Sequence, residues 1–300
     1  MAASKSNFHV RSNSLPSQSH PVIEECNDRL IRLGEASHAT SASSIAQKLR
    51  DLEDLHLCVE KLLQLPLTQQ AFVQDRQEKW VDYLVDGSLR LLDMCCAAKD
   101  AVLHTKESAR EIQSTMRRRR GAEIILENEI RKYSASRKVV KKAIQNALAS
   151  LKGVESKSAL ARLKSIESKS SISSSNKDIE ITALINVLRE MEAITLSAFE
   201  SLLCFISGPR ASKIGGWSLV SKLMNTKRVG CEEEAEPVNE FAKVDAALHC
   251  LTSQEKRQND QAMLELRNLE LCVQDFEERL ECLFRRLIKT RVAILNNLNN

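Results

Sequence analysis

A serine flanked by arginine and proline is the first candidate for chemistry in this sequence. The segment from Arg11 to Pro16 reads RSNSLP, which places Arg11 three residues before Ser14 and Pro16 two residues after it. Kinases that select basic substrates read an arginine at this spacing, and a phosphate on Ser14 adds negative charge and three acceptor oxygens. The phosphorylated segment would resemble a preferred ligand of 14-3-3 proteins, whose arginine cluster binds the phosphate. An ordinary serine-rich tail is the alternative.

A strongly basic stretch between Arg117 and Lys142 is the second candidate. Ten basic residues stand beside three glutamates there, so the local net charge is +7 (10 − 3). Such a strip suits an acidic membrane surface, RNA or an acidic protein partner, but its single aromatic residue, Tyr133, gives poor support for single-stranded nucleic acid. A solvated face, or one paired with the chain's own Glu232 to Glu236, is the preferred interpretation. The contact surface that we assign consists of Arg117, Arg118, Arg119, Arg120, Lys138, Lys141 and Lys142.

Catalytic and metal-binding signatures are absent from the sequence. It contains no GxSxG nucleophile motif, no phosphate-binding glycine-rich loop and no HExxH pair. His249 and Cys250 are adjacent, and adjacent side chains on a helix point about 100° apart, whereas metal ligands on a helix need a spacing of three or four residues. We therefore expect that the protein is not an enzyme and that it uses no cofactor.

A short segment around Trp217 is the third candidate for a contact. Lys213 and Lys222 flank this tryptophan, which would suit a membrane interface, but docking of the ring into the protein is the preferred interpretation. No run reaches the roughly 18 to 20 apolar residues of a membrane span, and the first twenty residues are too polar for a signal peptide. We expect a cytoplasmic protein, with peripheral binding to an intracellular membrane as the alternative.

Composition favours an all-α chain in a reducing compartment. Aromatic residues make up 4% of the 300 residues, and there are only 8 Gly and 5 Pro, so strand formers and chain breakers are scarce. The nine cysteines are odd in number and include no CxxC pair. Reduced thiols that fill helix faces are therefore expected, rather than a disulfide framework.

The chain divides into a tail and a helical domain. Residues 1–42 predict a disordered serine-rich tail with a short helix over Ile23 to Leu33, and residues 43–298 predict a helical bundle. Within the bundle, 150–177 is interpreted as a serine- and lysine-rich linker and 230–237 as an acidic loop.

Candidate N-cap residues, prolines and glycines predict where the bundle helices begin and end. Ser43 and Ser44 are candidate N-caps of the first helix, which Pro66 ends, and Thr68 is the candidate cap of the next. A break at 86–87 precedes a very long helix to about residue 151, with a kink at Gly121.

The next helix is predicted to start at the cap Asp178 and to stop at Gly208. Its apolar residues, from Ile181 to Ile206, lie on nearly all sides, which predicts a central, buried helix.

The last element, over 238–295 with a candidate break at 252–254, is patterned in heptads. Its seam consists of Leu266, Leu269, Val273, Phe276, Leu280, Leu283 and Leu287. Apolar residues beside the seam, such as Leu264 and Leu271, exceed what a two-stranded coiled coil needs. Packing against the helix from Ile181 to Ile206 is therefore favoured over a homodimer, and the predicted fold is an elongated all-α bundle with a long C-terminal helix.

Five short segments occur in a fixed order along the chain: RSNSLPS at 11–17, LQLPLTQQ at 63–70, LLDMC at 91–95, QSTMRRRR at 113–120 and WSLVSK at 217–222. Together they resemble a plant-specific family known as domain of unknown function 241, which is associated with BYPASS-type proteins. The resemblance covers about 45–298 as well as the tail motif. It implies a helical plant protein linked to root and shoot development, and it provides no catalytic residues to carry over. A regulatory protein that acts through protein contacts is the expectation that follows.

Overall fold

The computed structural model describes residues 20–35, 41–74, 78–118, 123–154, 176–208, 239–251 and 258–299. Within these ranges the regular elements are eight α-helices without a strand, so the predicted all-α class is confirmed. They are α1 (Pro21–Glu35), α2 (Ala42–Leu63), α3 (Pro66–Gln74), α4 (Lys79–Arg117), α5 (Glu123–Val154), α6 (Asn176–Ser207), α7 (Glu240–Leu251) and α8 (Gln258–Asn299). Several predicted features lie outside the described residues: Arg11, Ser14, Pro16, Arg119, Arg120, Gly121, Trp217, the loop at 230–237, the candidate break at 252–254 and residues 155–175 of the linker.

The heptad seam of α8 lies in the core. All seven of its residues, from Leu266 to Leu287, are buried within the single chain. This burial agrees with the preference for intramolecular packing, since the bundle itself covers the stripe.

The main partners of α8 are α4 and α2, and the predicted packing against α6 is only a minor contact. Its contact with α6 includes the edge-to-face pair of Phe205 and Phe276, whose ring centroids lie 6.0 Å apart. The reason is charge as well as apolar pattern, because α4 presents cations to the glutamates of α8. These pairs are Lys99–Glu281, Lys106–Glu277 and Arg110–Glu270.

The start of α2 corrects the predicted cap. Ser41, and not Ser43 or Ser44, is the N-cap, because the Ser44 amide donates to Ser41 Oγ and the Ser41 amide donates to Ser44 Oγ. This reciprocal arrangement satisfies two helix-end donors at once. Ser44 thus takes the N3 position, three residues after the cap.

Thr68 also differs from its predicted role. Helix α3 begins at Pro66, where the missing N–H of proline costs no hydrogen bond. Thr68 lies inside the first turn and donates its hydroxyl to the carbonyl of Leu62 at 2.7 Å. It therefore fastens α3 to the end of α2.

The long middle stretch is two helices rather than one, and the predicted break at 86–87 does not occur. Helix α4 continues through Gly87 to Arg117, where the Arg118 amide bonds to the Thr115 carbonyl. The chain then returns along α4 as α5, and the hydroxyls of Ser108 and Ser136 meet at 2.9 Å. This packing buries a face of both helices.

The ends of α5 and α6 extend into the predicted linker. Helix α5 reaches Val154 and α6 starts at Asn176, so Asp178 lies within the first turn of α6 and is not its cap. Helix α6 stops as predicted at Gly208, whose φ of 77° suits glycine and lets its amide bond to the carbonyls of Cys204 and Phe205.

The short helix predicted near the N-terminus is α1. It buries Ile23, Cys26, Leu30 and Leu33 at helical spacing and packs against α2 and α6. This segment is therefore part of the bundle's packing.

Candidate contact surface

The basic residues of α5 divide between two faces. The buried positions of this helix, at Ile130, Tyr133, Arg137 and Val140, recur every three or four residues and form the face that packs on its neighbours. Arg137 belongs to this inner face and is only 4% exposed. The basic stretch is consequently not one continuous outer surface.

Arg137 ties three helices together. Its Nε donates to Asp245 Oδ1 of α7 at 3.1 Å, and its Nη2 donates to the carbonyl of Ile206 of α6 at 2.9 Å. The guanidinium also lies 5.4 Å from the ring centroid of Phe241, a distance that permits a cation–π interaction. Arg137 thus serves packing and not an external ligand.

Asp245 accepts hydrogen bonds from two further residues of α5. The Tyr133 hydroxyl donates to Oδ1 at 3.0 Å and the Lys141 ammonium donates to Oδ2 at 3.2 Å. Burial, together with the neighbouring Asp245 charge, raises the pKa of Tyr133, so the phenol keeps its proton. Asp245 is therefore the internal partner of Arg137 and Lys141. The partners considered from the sequence, Glu232 to Glu236, lie outside the described residues.

Lys138 and Lys142 remain on the outer face of α5, one helical turn apart. Both are exposed, and the ion pairs of this helix that face outward join other residues: Arg131 to Glu127 at 2.6 Å, and Lys132 to Glu129 at 2.8 Å. Within the described part of the chain, no carboxylate lies at ion-pair distance from either lysine. Both lysines therefore lie on the exposed face of α5.

A second group of cations lies where α4 ends. Arg117 and Arg118 are exposed, and they donate to the side chains of Gln113 and Ser114 one turn earlier. Ile124, at the start of α5, is 76% exposed. Large apolar and cationic side chains are therefore exposed within eight residues of chain.

A buried acid on α6 is a polar feature that sequence reasoning missed. Glu192 pairs with Arg90 of α4 beside a cavity of about 10 Å³, which Ser88 and Thr290 also line. That volume suits one water molecule rather than an organic substrate. The signal in the sequence was the position of Glu192, in helical phase with the buried Leu188 and Thr195.

His56 is the second buried polar group of this kind. Its Nε2 lies 3.1 Å from the Thr195 hydroxyl, and burial lowers its pKa to about 4. The imidazole is therefore neutral near neutral pH. No group of three His, Cys, Asp or Glu side chains that could hold a metal ion occurs among the described residues, including those around His249 and Cys250.

None of the helices in the described ranges has the length and apolar character to cross a bilayer.

Comparison with known proteins finds a match to one family model. The family model described as Protein BPS1 matches residues 48–296, which run from within α2 to within α8. No curated protein and no solved structure matches the chain.

Proposed function

This chain belongs to the BPS1 family, and on that premise we propose that it is a non-enzymatic regulatory protein that acts through protein–protein contacts. The family match suggests a plant developmental regulator. Action in root and shoot development is the more specific part of the proposal, and it rests on the family resemblance.

The observation that carries the proposal is the division of charged groups between core and surface. The buried cation Arg137 and the buried acid Glu192 each have an internal partner of opposite charge, so their chemistry is used in packing. Lys138 and Lys142, by contrast, face outward, and no carboxylate in the described part of the chain lies at ion-pair distance from either of them. A fixed pair of cations on a rigid helix suits an acidic protein surface.

The test replaces these two lysines and compares partners. The Lys138→Glu/Lys142→Glu chain and the wild type are used for quantitative capture from plant tissue. The matched control is Lys61→Glu/Lys289→Glu, which makes the same charge change at exposed residues of α2 and α8. We expect a subset of partners to fall at least about tenfold, because opposed charges must now meet at the interface, while the control retains them. Identical partner sets for the three chains would contradict the proposal.

A 14-3-3 protein is a proposed partner through phosphorylated Ser14. The spacing of Arg11 and Pro16 around this serine supports the proposal, and the site lies outside the described residues. Capture by 14-3-3 should require phosphorylation of the full chain and should be lost in Ser14→Ala. Ser12→Ala, two residues away, is the control that should retain binding. Undiminished capture of Ser14→Ala would remove Ser14 from the proposal.

Peripheral binding to an acidic membrane is the second candidate function. The exposed Ile124 and the arginines at the end of α4 favour it, since apolar side chains beside cations bind anionic lipid surfaces. Trp217, outside the described residues, would add an interfacial anchor. Flotation with vesicles of phosphatidylserine and phosphatidylcholine tests this function. Salt-sensitive binding that is lost when Arg117 to Arg120 are replaced would support it, and equal binding to pure phosphatidylcholine would count against it.

A further inference from the structure

Two cysteines from different helices meet inside the bundle. The Sγ atom of Cys26 on α1 lies 2.8 Å from the Sγ atom of Cys58 on α2. Both residues are buried, at 0% and 1% exposed, and both are free thiols. The separation exceeds a disulfide bond of about 2.05 Å by less than one ångström, so a small movement of the two side chains brings the sulfurs to bonding distance.

The surroundings hold this pair in place. Arg29, one turn after Cys26, pairs with Glu25 at 3.0 Å on its own helix and with Asp54 of α2 at 3.5 Å. The Cys58 thiol also lies 3.7 Å from the Val22 carbonyl at the start of α1. The two helices are thus fixed side by side on both sides of the sulfurs.

Neighbouring apolar residues add to this alignment. Ile23, Leu30 and Leu33 of α1 are buried with Cys26. Because these side chains already fix the position of α1 on the bundle, closing a bond between the sulfurs requires no rearrangement of the helices.

We propose that Cys26 and Cys58 form an intramolecular disulfide when the protein meets a peroxide, and that this bond fastens α1 to α2. One thiolate attacks a peroxide oxygen, which gives a sulfenic acid and releases water. The second thiol then attacks the sulfenic sulfur, the S–S bond forms and a second water leaves. In sum, two thiols and one hydrogen peroxide give one disulfide and two waters, and the two sulfurs supply the two electrons that reduce the peroxide.

Burial sets the speed of this reaction. It raises the pKa of both thiols, and the thiolate is the form that reacts. The disulfide therefore forms slowly in the folded protein and only under sustained oxidation. A catalytic thiol, by contrast, reacts quickly because it is largely a thiolate. The bond would act on α1, the helix that follows the segment with Ser14 in the sequence.

Peptide mapping of the full chain tests the proposal. The protein is treated with hydrogen peroxide, its remaining thiols are alkylated, and peptides are analysed without reduction. We expect a peptide pair that joins Cys26 to Cys58 and an intact mass lower by two hydrogen atoms, both reversed by dithiothreitol. The thermal midpoint should rise by about 5 °C on oxidation, because the bond closes a loop of the unfolded chain.

Variants separate this pair from the exposed thiols. Cys96→Ser, on the exposed side of α4, should still give the linked peptides and the rise in the thermal midpoint. Cys26→Ser and Cys58→Ser should abolish both. Mapping of the wild type decides the matter even if a buried variant fails to fold. If Cys26 and Cys58 both remain open to alkylation on unfolding after oxidation, or if either joins a different cysteine, the proposal is overturned.

Discussion

Nη2 of Arg90 lies 2.6 Å from Oε1 of Glu192, and this ion pair joins α4 to α6 inside the bundle. The Glu192 side chain is 3% exposed and that of Arg90 24%, so the carboxylate has little water to stabilise it. A Cβ atom added at Gly87 would lie 2.5 Å from Glu192 Oε2. The buried charge therefore depends on two residues of α4: an arginine that neutralises it and a glycine that makes room for it.

Gly87→Ala should destabilise the protein by about 1 to 3 kcal/mol, the usual cost of overpacking a core. The carboxylate sits at the end of a flexible side chain, but burial and the pair with Arg90 prevent it from moving aside. The control is Gly34→Ala in α1, where an added Cβ meets nothing within 4 Å. Alanine favours helix there, so the control should be neutral or stabilising by up to about 1 kcal/mol. Urea unfolding measures both, and equal stability of the two variants would show that Gly87 is not required.

Arg90→Met should cost about 3 kcal/mol, because it leaves Glu192 buried without a counter-charge. Methionine retains the apolar stem of the arginine, so the loss reports the charge rather than the packing. Arg285→Met is the control, since Arg285 pairs with Glu281 on the exposed surface of α8 at 2.9 Å. That change should have little effect. Guanidinium unfolding followed by circular dichroism compares the two, and a similar small effect for both would contradict the proposed role of Arg90.

Side-chain periodicity predicts the elements of this fold but not how they pair. The seam from Leu266 to Leu287 and the apolar run from Ile181 to Ile206 each identify a helix whose apolar face the structure buries. Which helices they pack against was not predictable in this way, because an apolar stripe does not state which of several other apolar helices covers it. In the structure the stripe of α8 is covered mainly by α4 and α2, with ion pairs such as Lys99–Glu281 beside the apolar contact.

For the candidate surface, too, the sequence predicts which residues are charged but not which partners they meet. Counting basic residues finds the stretch from Arg117 to Lys142, but a sum of charges does not state which side of the helix each one occupies. Arg137 falls in phase with Ile130 and Val140, so its burial was readable from spacing alone. Its acceptor, Asp245, lies 108 residues away in sequence, and only the folded chain brings the two together.

The seam of α8 should stabilise a single chain. Leu280→Ala removes a fully buried side chain from the core and should cost about 2 to 5 kcal/mol. Leu271→Ala on the same helix is the control, because Leu271 is exposed and its truncation should stay within about 0.5 kcal/mol. Light scattering of the wild type should give the mass of one chain, 33.7 kDa. A dimer that dissociates in Leu280→Glu with retained helicity would instead place the seam between two chains.

His56 should make the protein sensitive to mild acid. Its pKa is lowered from 6.5 to about 4 in the folded state, so between these values the unfolded chain binds a proton that the folded chain does not. The contribution of His56 to the free energy of unfolding is therefore fully present above about pH 6.5. It is lost as the pH drops towards 4, by up to about 3 kcal/mol.

Replacement by an amide tests the acid sensitivity of His56. His56→Gln retains a group that can hydrogen bond to Thr195 but does not titrate, so the loss of unfolding free energy between about pH 7 and about pH 5 should shrink. His104→Gln is the matched control, because it removes an imidazole that is exposed on α4 and keeps His56, so the acid sensitivity caused by His56 should remain. Urea unfolding at both pH values gives the comparison. If the slope of His56→Gln equals that of the wild type, other groups cause the acid sensitivity, and the buried imidazole contributes nothing to it.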